Sequence, residues 1–76
     1  MDEFLRFMVQ QLVEYPDEAV LSHRQAEGKI LYQLSLRKSD IGRLIGKGGS
    51  TINAIRELLS AAAERQGLKA SLEILE

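Results

Sequence analysis

The spacing of apolar residues changes period several times along this chain, and each change marks an element. Between residues 2 and 14, Phe4, Leu5, Met8, Leu12 and Val13 recur at helical spacing, while Glu3, Arg6, Gln10, Gln11 and Glu14 fill the other side. That pattern predicts an amphipathic helix. Asp2 stands where an N-cap would. Tyr15-Pro16 ends the helix, because the residue before a proline is pushed out of the α region. Residues 19–26 read as a polar edge strand that begins with Val20 and Leu21. Glu27-Gly28 reads as a hairpin turn. Over 29–37 the period becomes two: Ile30, Tyr32, Leu34 and Leu36 alternate with Leu31, Gln33, Ser35 and Arg37, so one wholly apolar face belongs on the core. Ser39 or Asp40 can cap a short helix over 40–45. Ser50 or Thr51 can cap a longer one that runs to about Gln66, with Ile52, Ile55, Leu59, Ala62 and Ala63 on its apolar face and Leu58 off the centre of that stripe. Gly67 is a stop signal. Residues 69–75 form a last strand, with Ala70, Leu72 and Ile74 on one face.

The predicted order is α-β-β-α-α-β. It gives an α+β fold in two layers, a three-stranded sheet with helices packed on one face. No linker, repeat or low-complexity segment interrupts it. At 76 residues the chain is expected to be one small domain, and a domain this size has little room for a large enclosed active site. No cysteine is present, which excludes disulfides and thiolate metal sites. The single histidine, His23, has no second histidine or cysteine to share a metal, and is expected to be a solvated strand residue. The N-terminus is acidic and lacks a long apolar run, so neither a signal peptide nor a membrane span is expected. A cytoplasmic, non-enzymatic protein without a cofactor is the reading. Ser50 and Thr51 have no base near them in sequence.

Charge refines this picture. The formal net charge is -1, but residues 1–28 carry six acids and two bases, residues 29–56 six bases and only Asp40 as an acid, and residues 57–76 four acids and two bases. The middle third is therefore strongly positive. An approaching phosphate responds to the local field rather than to the total.

That positive third holds the stretch Asp40-Ile41-Gly42-Arg43-Leu44-Ile45-Gly46-Lys47-Gly48-Gly49-Ser50-Thr51-Ile52. Three glycines within four residues let the backbone turn sharply and leave no Cβ between it and a ligand. The turn opens a helix, so free N–H groups and the positive end of the helix dipole face outward. Lys47 adds a full charge at the tip. Such a loop can clasp an anionic backbone, or it can simply join two helices. It is not a Walker-type loop: Gly42 and Gly46 are three residues apart, and Gly48 follows Lys47 where a hydroxyl residue is required. It is not a dinucleotide loop either, because Gly46-Lys47-Gly48 continues as Gly49-Ser50-Thr51 without the third glycine and follows a helix rather than a strand.

Ile41-Gly42-Arg43-Leu44-Ile45-Gly46-Lys47-Gly48-Gly49, followed by Ile52 and Ile55, resembles the signature of a KH domain. Gly46-Lys47-Gly48-Gly49 stands where the GXXG loop does, and no position departs from that pattern. The element order resembles the type II KH arrangement. Over nearly its whole length the chain looks like a single KH domain, residues 1–76, of the small bacterial KhpA (YlqC) family. The resemblance implies single-stranded RNA binding, with about four nucleotides clamped by the loop. It also implies an RNA chaperone or post-transcriptional regulator that self-associates as a homodimer, pairs with a KhpB (Jag/EloR)-type KH protein and affects cell elongation and envelope growth. The residues it nominates for RNA are Ile41, Gly42, Arg43, Ile45, Gly46, Lys47, Gly48, Gly49, Ser50 and Thr51.

Lys47 has little structural work to do at a loop tip and is the strongest of these. Arg43 fits either phosphate support or a plain surface charge. Ile45 fits either core or groove, while Ile41, Ile52 and Ile55 read as core. Lys38 and Arg56 read as solvated charges. Phe4, Phe7, Tyr15 and Tyr32 lie away from the loop, so base stacking is expected to contribute little. The run Ala61-Ala62-Ala63 fits either a close dimer contact or small core residues. A protein-interaction adaptor with this fold and little RNA binding is the competing functional class.

Overall fold

The computed structural model describes residues 1–75. Three helices, α1 (Asp2–Leu12), α2 (Lys38–Ile45) and α3 (Ser50–Glu64), accompany three strands, β1 (Val20–Ala26), β2 (Lys29–Ser35) and β3 (Lys69–Leu75). Single 3-10 turns occupy Pro16–Glu18 and Lys47–Gly49. The order α-β-β-α-α-β and the α+β class are those the periodicity predicts.

The sheet runs β1-β2-β3. β2 is antiparallel to β1, from Val20 opposite Ser35 to Ala26 opposite Lys29. It is parallel to β3, from Lys29 beside Lys69 to Ser35 beside Leu75. A tight hairpin joins the first pair: Glu27 and Gly28 both have positive φ, 52° and 75°, as the twist of a two-residue turn requires. A parallel pair needs a crossover instead. Here the crossover is α2, the glycine loop and α3, which is why the loop sits at one end of the sheet.

The core joins the inner face of β2 (Ile30, Tyr32, Leu34) to Leu72 of β3, Leu44 of α2, Ile52, Ile55 and Leu59 of α3, and Leu5, Val9 and Val13 of the N-terminal segment. Ala63 is fully buried and Ala62 partly, whereas Ala61 is exposed, so the alanine run divides between core and surface. The α1 stripe is narrower than expected. Phe4 is 41% exposed, and Val9 takes the core position. At the far end of α3 the N–H of Leu68 donates to Ala63 and that of Gly67 to Glu64, a Schellman stop with Gly67 at φ 71°.

Two caps expected from sequence are made otherwise. Met1, not Asp2, is the N-cap of α1, and no side chain bonds there. Asp2 instead accepts a hydrogen bond from the Tyr32 hydroxyl and lies 3.1 Å from His23 Nδ1. Burial, and then the Asp2 carboxylate, push the Tyr32 hydroxyl above the ordinary tyrosine range, so it stays a neutral donor. Asp40 is likewise not a cap, since α2 begins two residues earlier, with Arg37 as its N-cap. Asp40 is fully buried and accepts the Glu14 N–H on Oδ1 and the Tyr15 N–H on Oδ2, each at 3.0 Å. Those are the donors a helix running to residue 14 would have turned onto its own carbonyls, and α1 accordingly gives way to extended backbone at Val13.

Asp40→Ala is expected to lower stability by about 2 kcal/mol, because it leaves two part-buried backbone donors without a charged acceptor. Asp40→Asn keeps one acceptor oxygen and should recover part of that. Urea unfolding reads both, and an Asp40→Ala midpoint equal to the wild type would remove Asp40 from this role.

Candidate nucleic-acid interface

Helical geometry gives α2 three distinct sides. Asp40 and Leu44 face the core and are fully buried. Arg43 faces α1, with Nη2 3.2 Å from Glu14 Oε2 and Nε 3.8 Å from Asp40 Oδ1. Lys38, Ile41, Gly42 and Ile45 share the third side by their i, i+3, i+4, i+7 spacing. Ile41 and Ile45 are half-buried and form one wall of a groove of about 510 Å³. The opposite wall comes from α3 and β3. Ile52 and Ile74 add apolar surface there, and Asn53, Arg56 and Glu73 add polar groups. The Arg56 guanidinium spans the wall, with Nε 3.3 Å and Nη2 3.1 Å from the Leu72 carbonyl oxygen. No aromatic residue lines the groove.

The glycine loop closes one end. The Gly46 N–H donates to Gly42 and ends α2. Gly46 then takes φ 75° and ψ 172°, and a Cβ there would collide with the Thr51 side chain. Thr51 thus packs under the loop rather than capping α3. Neither it nor Ser50 is the N-cap, which is Gly49 in the left-handed region at φ 80°. Gly49 donates to the Gly46 carbonyl and Ser50 to that of Lys47. The N–H groups of Lys47 and Gly48 are taken by no carbonyl among the described residues, and both residues are exposed.

The nominated residues therefore separate into groups. Ile41, Ile45 and Gly49 line the groove, and Gly42 shares their face of α2. Gly46, Lys47 and Gly48 form the loop, with Ser50 exposed beside them. Thr51 supports the loop from beneath, and Arg43 is turned onto two carboxylates. Ile55 is core, while Ile52 serves both core and groove. Asn53, Arg56, Glu73 and Ile74 are groove residues that the sequence reading did not nominate. Asn53 and Arg56 lie four and seven residues after Gly49, on one face of α3, so helical spacing could have found them. Glu73 and Ile74 depend on the parallel register of β3, which no local pattern encodes.

The charge asymmetry of the sequence is partly cancelled in space. Glu18 pairs with Arg37 at 2.9 Å and Glu14 with Arg43, so acids from the N-terminal third neutralise two of the six central bases. Lys38, Lys47 and Arg56 are without a carboxylate partner among the described residues, and all three border the α2 face or the groove. His23 is half-exposed and bonded to Asp2, and no group of three or more potential metal-ligating side chains occurs among the described residues.

A family model described as KhpA/KhpB, KH domain, matches residues 2–74. The chain is 49% identical over 76 residues to the RNA-binding protein KhpA of Chlamydia trachomatis, covering all of this chain and 97% of that one. It is 37% identical over 76 residues to the RNA-binding protein KhpA of Listeria monocytogenes, covering the whole of both. It is 36% identical over 74 residues to the RNA-binding protein KhpA of Borreliella burgdorferi, covering 97% of this chain and 90% of that one. No solved structure matches the chain.

Two loop glycines separate packing from conformation. Gly48→Ala faces only its φ of 64° with open space around it, and should cost about 1 kcal/mol of stability. Gly46→Ala meets both positive φ and the Thr51 side chain, and should cost about 2 kcal/mol more. Thermal unfolding tests the ranking, and equal losses would mean that Gly46 is not packed against α3 in solution.

Proposed function

Because the chain belongs to the KhpA/KhpB KH-domain family, we propose that it binds single-stranded RNA, with the glycine loop on the sugar-phosphate backbone and the groove beneath the bases. The observation that carries this reading is the loop itself: among the described residues two of its N–H groups have no carbonyl partner and Lys47 has no carboxylate partner, and it leads into the start of α3 where Gly49 lines the groove. Similar relatives are named for RNA binding and not for a reaction. Lys47 and the N–H groups of Lys47 and Gly48 meet phosphate, with Gly46, Gly49 and Ser50 holding the backbone that presents them. Ile41 and Ile45 carry the bases, while Asn53 and Arg56 offer hydrogen bonds to base edges. Thr51 and Gly42 act through shape, and Arg43, held and neutralised by Glu14 and Asp40, supports the loop side of α2 without a phosphate contact of its own. Few phosphate contacts and no stacking surface make each site weak and salt-sensitive.

Lys47→Asp combined with Gly48→Asp is expected to abolish binding of short labelled single-stranded RNA at low salt, while circular dichroism stays unchanged. Repulsion between paired carboxylates and phosphate is the reason. Equal RNA binding by the variant, or none by either protein, would instead favour a protein-interaction adaptor.

We further infer that residues 1–76 act as a single KH domain in the cytoplasm, as an RNA chaperone and post-transcriptional regulator that self-associates as a homodimer and pairs with a KhpB-type KH protein. An effect on cell elongation and envelope growth goes with that pairing. No helix among the described residues is long and apolar enough to cross a membrane. Support for self-association comes from α3, where Leu58 is 52% exposed between the exposed alanines Ala54 and Ala61. Two copies would raise RNA avidity without any new contact per site. Leu58→Glu is expected to convert a dimer to a monomer in sedimentation and to weaken co-purification with a KhpB-type protein. An unchanged sedimentation coefficient would remove this face, and normal cell length in a strain lacking the gene would remove the elongation role.

A further inference from the structure

The groove does not end at Ile41. On the other side of that residue lies a second depression of about 500 Å³, lined by Leu36, Lys38, Ile41 and Gly42. Ile41 lines both, so the two adjoin at that residue of α2. Lys38 lines the second depression, and Lys47 sits in the glycine loop, two residues before the groove-lining Gly49. Both lysines are exposed and lack a carboxylate partner among the described residues. The neighbouring Arg37 is committed elsewhere, paired with Glu18 at 2.9 Å and lying over the Tyr15 ring at 4.0 Å.

Gly42 lines the second depression beside Ile41 and supplies an independent observation. It lies inside α2, where a glycine is destabilising relative to alanine. It does not have positive φ, and a Cβ there would meet nothing within 4 Å. Neither conformation nor packing within the chain asks for glycine. A Cβ would project from the same side of α2 as Ile41, into the second depression.

We propose that a bound RNA strand passes over Gly42 and continues along α2 to a second phosphate contact at Lys38. The proposal rests on the RNA reading above and extends its footprint. From Ile45 to Lys38 the helix rises about 10 Å, which takes the strand past the roughly four nucleotides that a loop of this kind clamps. Apolar Ile41 and Leu36 lie beneath the added nucleotides. Charge complementarity selects nucleic acid as the occupant: Ile45, Ile41 and Leu36 give the path apolar surface, and Arg56, Lys38 and the nearby Lys47 outweigh the one carboxylate that lines it, Glu73.

Labelled mixed-sequence RNAs of about four and about eight nucleotides distinguish this extension from the reading beneath it. Lys38→Gln is expected to weaken the longer RNA about fivefold at 0.1 M salt and to reduce its salt slope by about 0.7, the share of one phosphate on a single strand. The shorter RNA should change by less than about twofold, as should both RNAs with Lys29→Gln, which removes the same charge at the far end of β2. Gly42→Ala should weaken the longer RNA without lowering the unfolding temperature. If the wild type binds both RNAs and Lys38→Gln binds the longer one unchanged, or loses both lengths equally, the second contact is overturned while the loop reading stands. If the wild type binds neither RNA, the loop reading falls and takes the second contact with it.

Discussion

Each oxygen of the Asp40 carboxylate accepts one backbone N–H from the segment that leaves α1, and this pair of bonds fixes the rotation of α2 about its own axis. A buried carboxylate without such partners would carry a large desolvation penalty, so the contact has essentially one geometry. Once Asp40 points at Glu14 and Tyr15, Leu44 is directed to the core by its i+4 spacing. Arg43 meets Glu14, and Lys38, Ile41, Gly42 and Ile45 are left facing outward. The groove wall is thus a consequence of a contact on the far side of the same helix. α2 is only eight residues long, too short to be stable alone, and it depends on this anchor and on Leu44 for its existence as well as its orientation.

The same contact organises the electrostatics. Glu14 is positioned to pair with Arg43, and Glu18, one turn further along the chain, pairs with Arg37. Exposed ion pairs of this kind add little stability. Their effect is instead to remove two cations from the surface field. Of the bases left without a carboxylate partner among the described residues, Lys38, Lys47 and Arg56 lie beside the groove. A chain with a slightly negative total charge thereby keeps free cations next to the groove, which draw an anion toward that side.

Much of this was legible in the sequence, and the reasons differ by element. The alternation in β2, the stop at Gly67 and the strand at 69–75 are local patterns; the last two appear where they were expected, while β2 ends at Ser35, two residues short of the predicted 29–37, because Arg37 already caps α2. The loop was legible because closely spaced glycines have few uses. The failures share one cause, which is long-range pairing. Asp2 and Asp40 look like caps because caps are the local use of an aspartate before a helix. Their partners, Tyr32 and His23 for one, Glu14 and Tyr15 for the other, lie 21 to 30 positions away in the chain, and nothing local announces them. Arg43 looks free for the same reason. Arg56 was read as a solvated charge, because its acceptor is a backbone carbonyl on a strand whose register is set only by the assembled sheet.

That parallel register bears on how the binding surface comes into being. Lys29 sits beside Lys69, and closing a loop of this length is slow compared with forming the hairpin or the helices within it. The groove takes its walls from α2, α3 and β3 together. Before the last strand docks, the glycine loop is present but there is no groove behind it. On the RNA reading proposed above, a strand seated across all three elements recognises only the completed fold, and binding then stabilises the native state by mass action. For a chain this small, with little core to spare, the bound strand on that reading is part of what holds the protein folded, and the amount of RNA around it sets part of its stability.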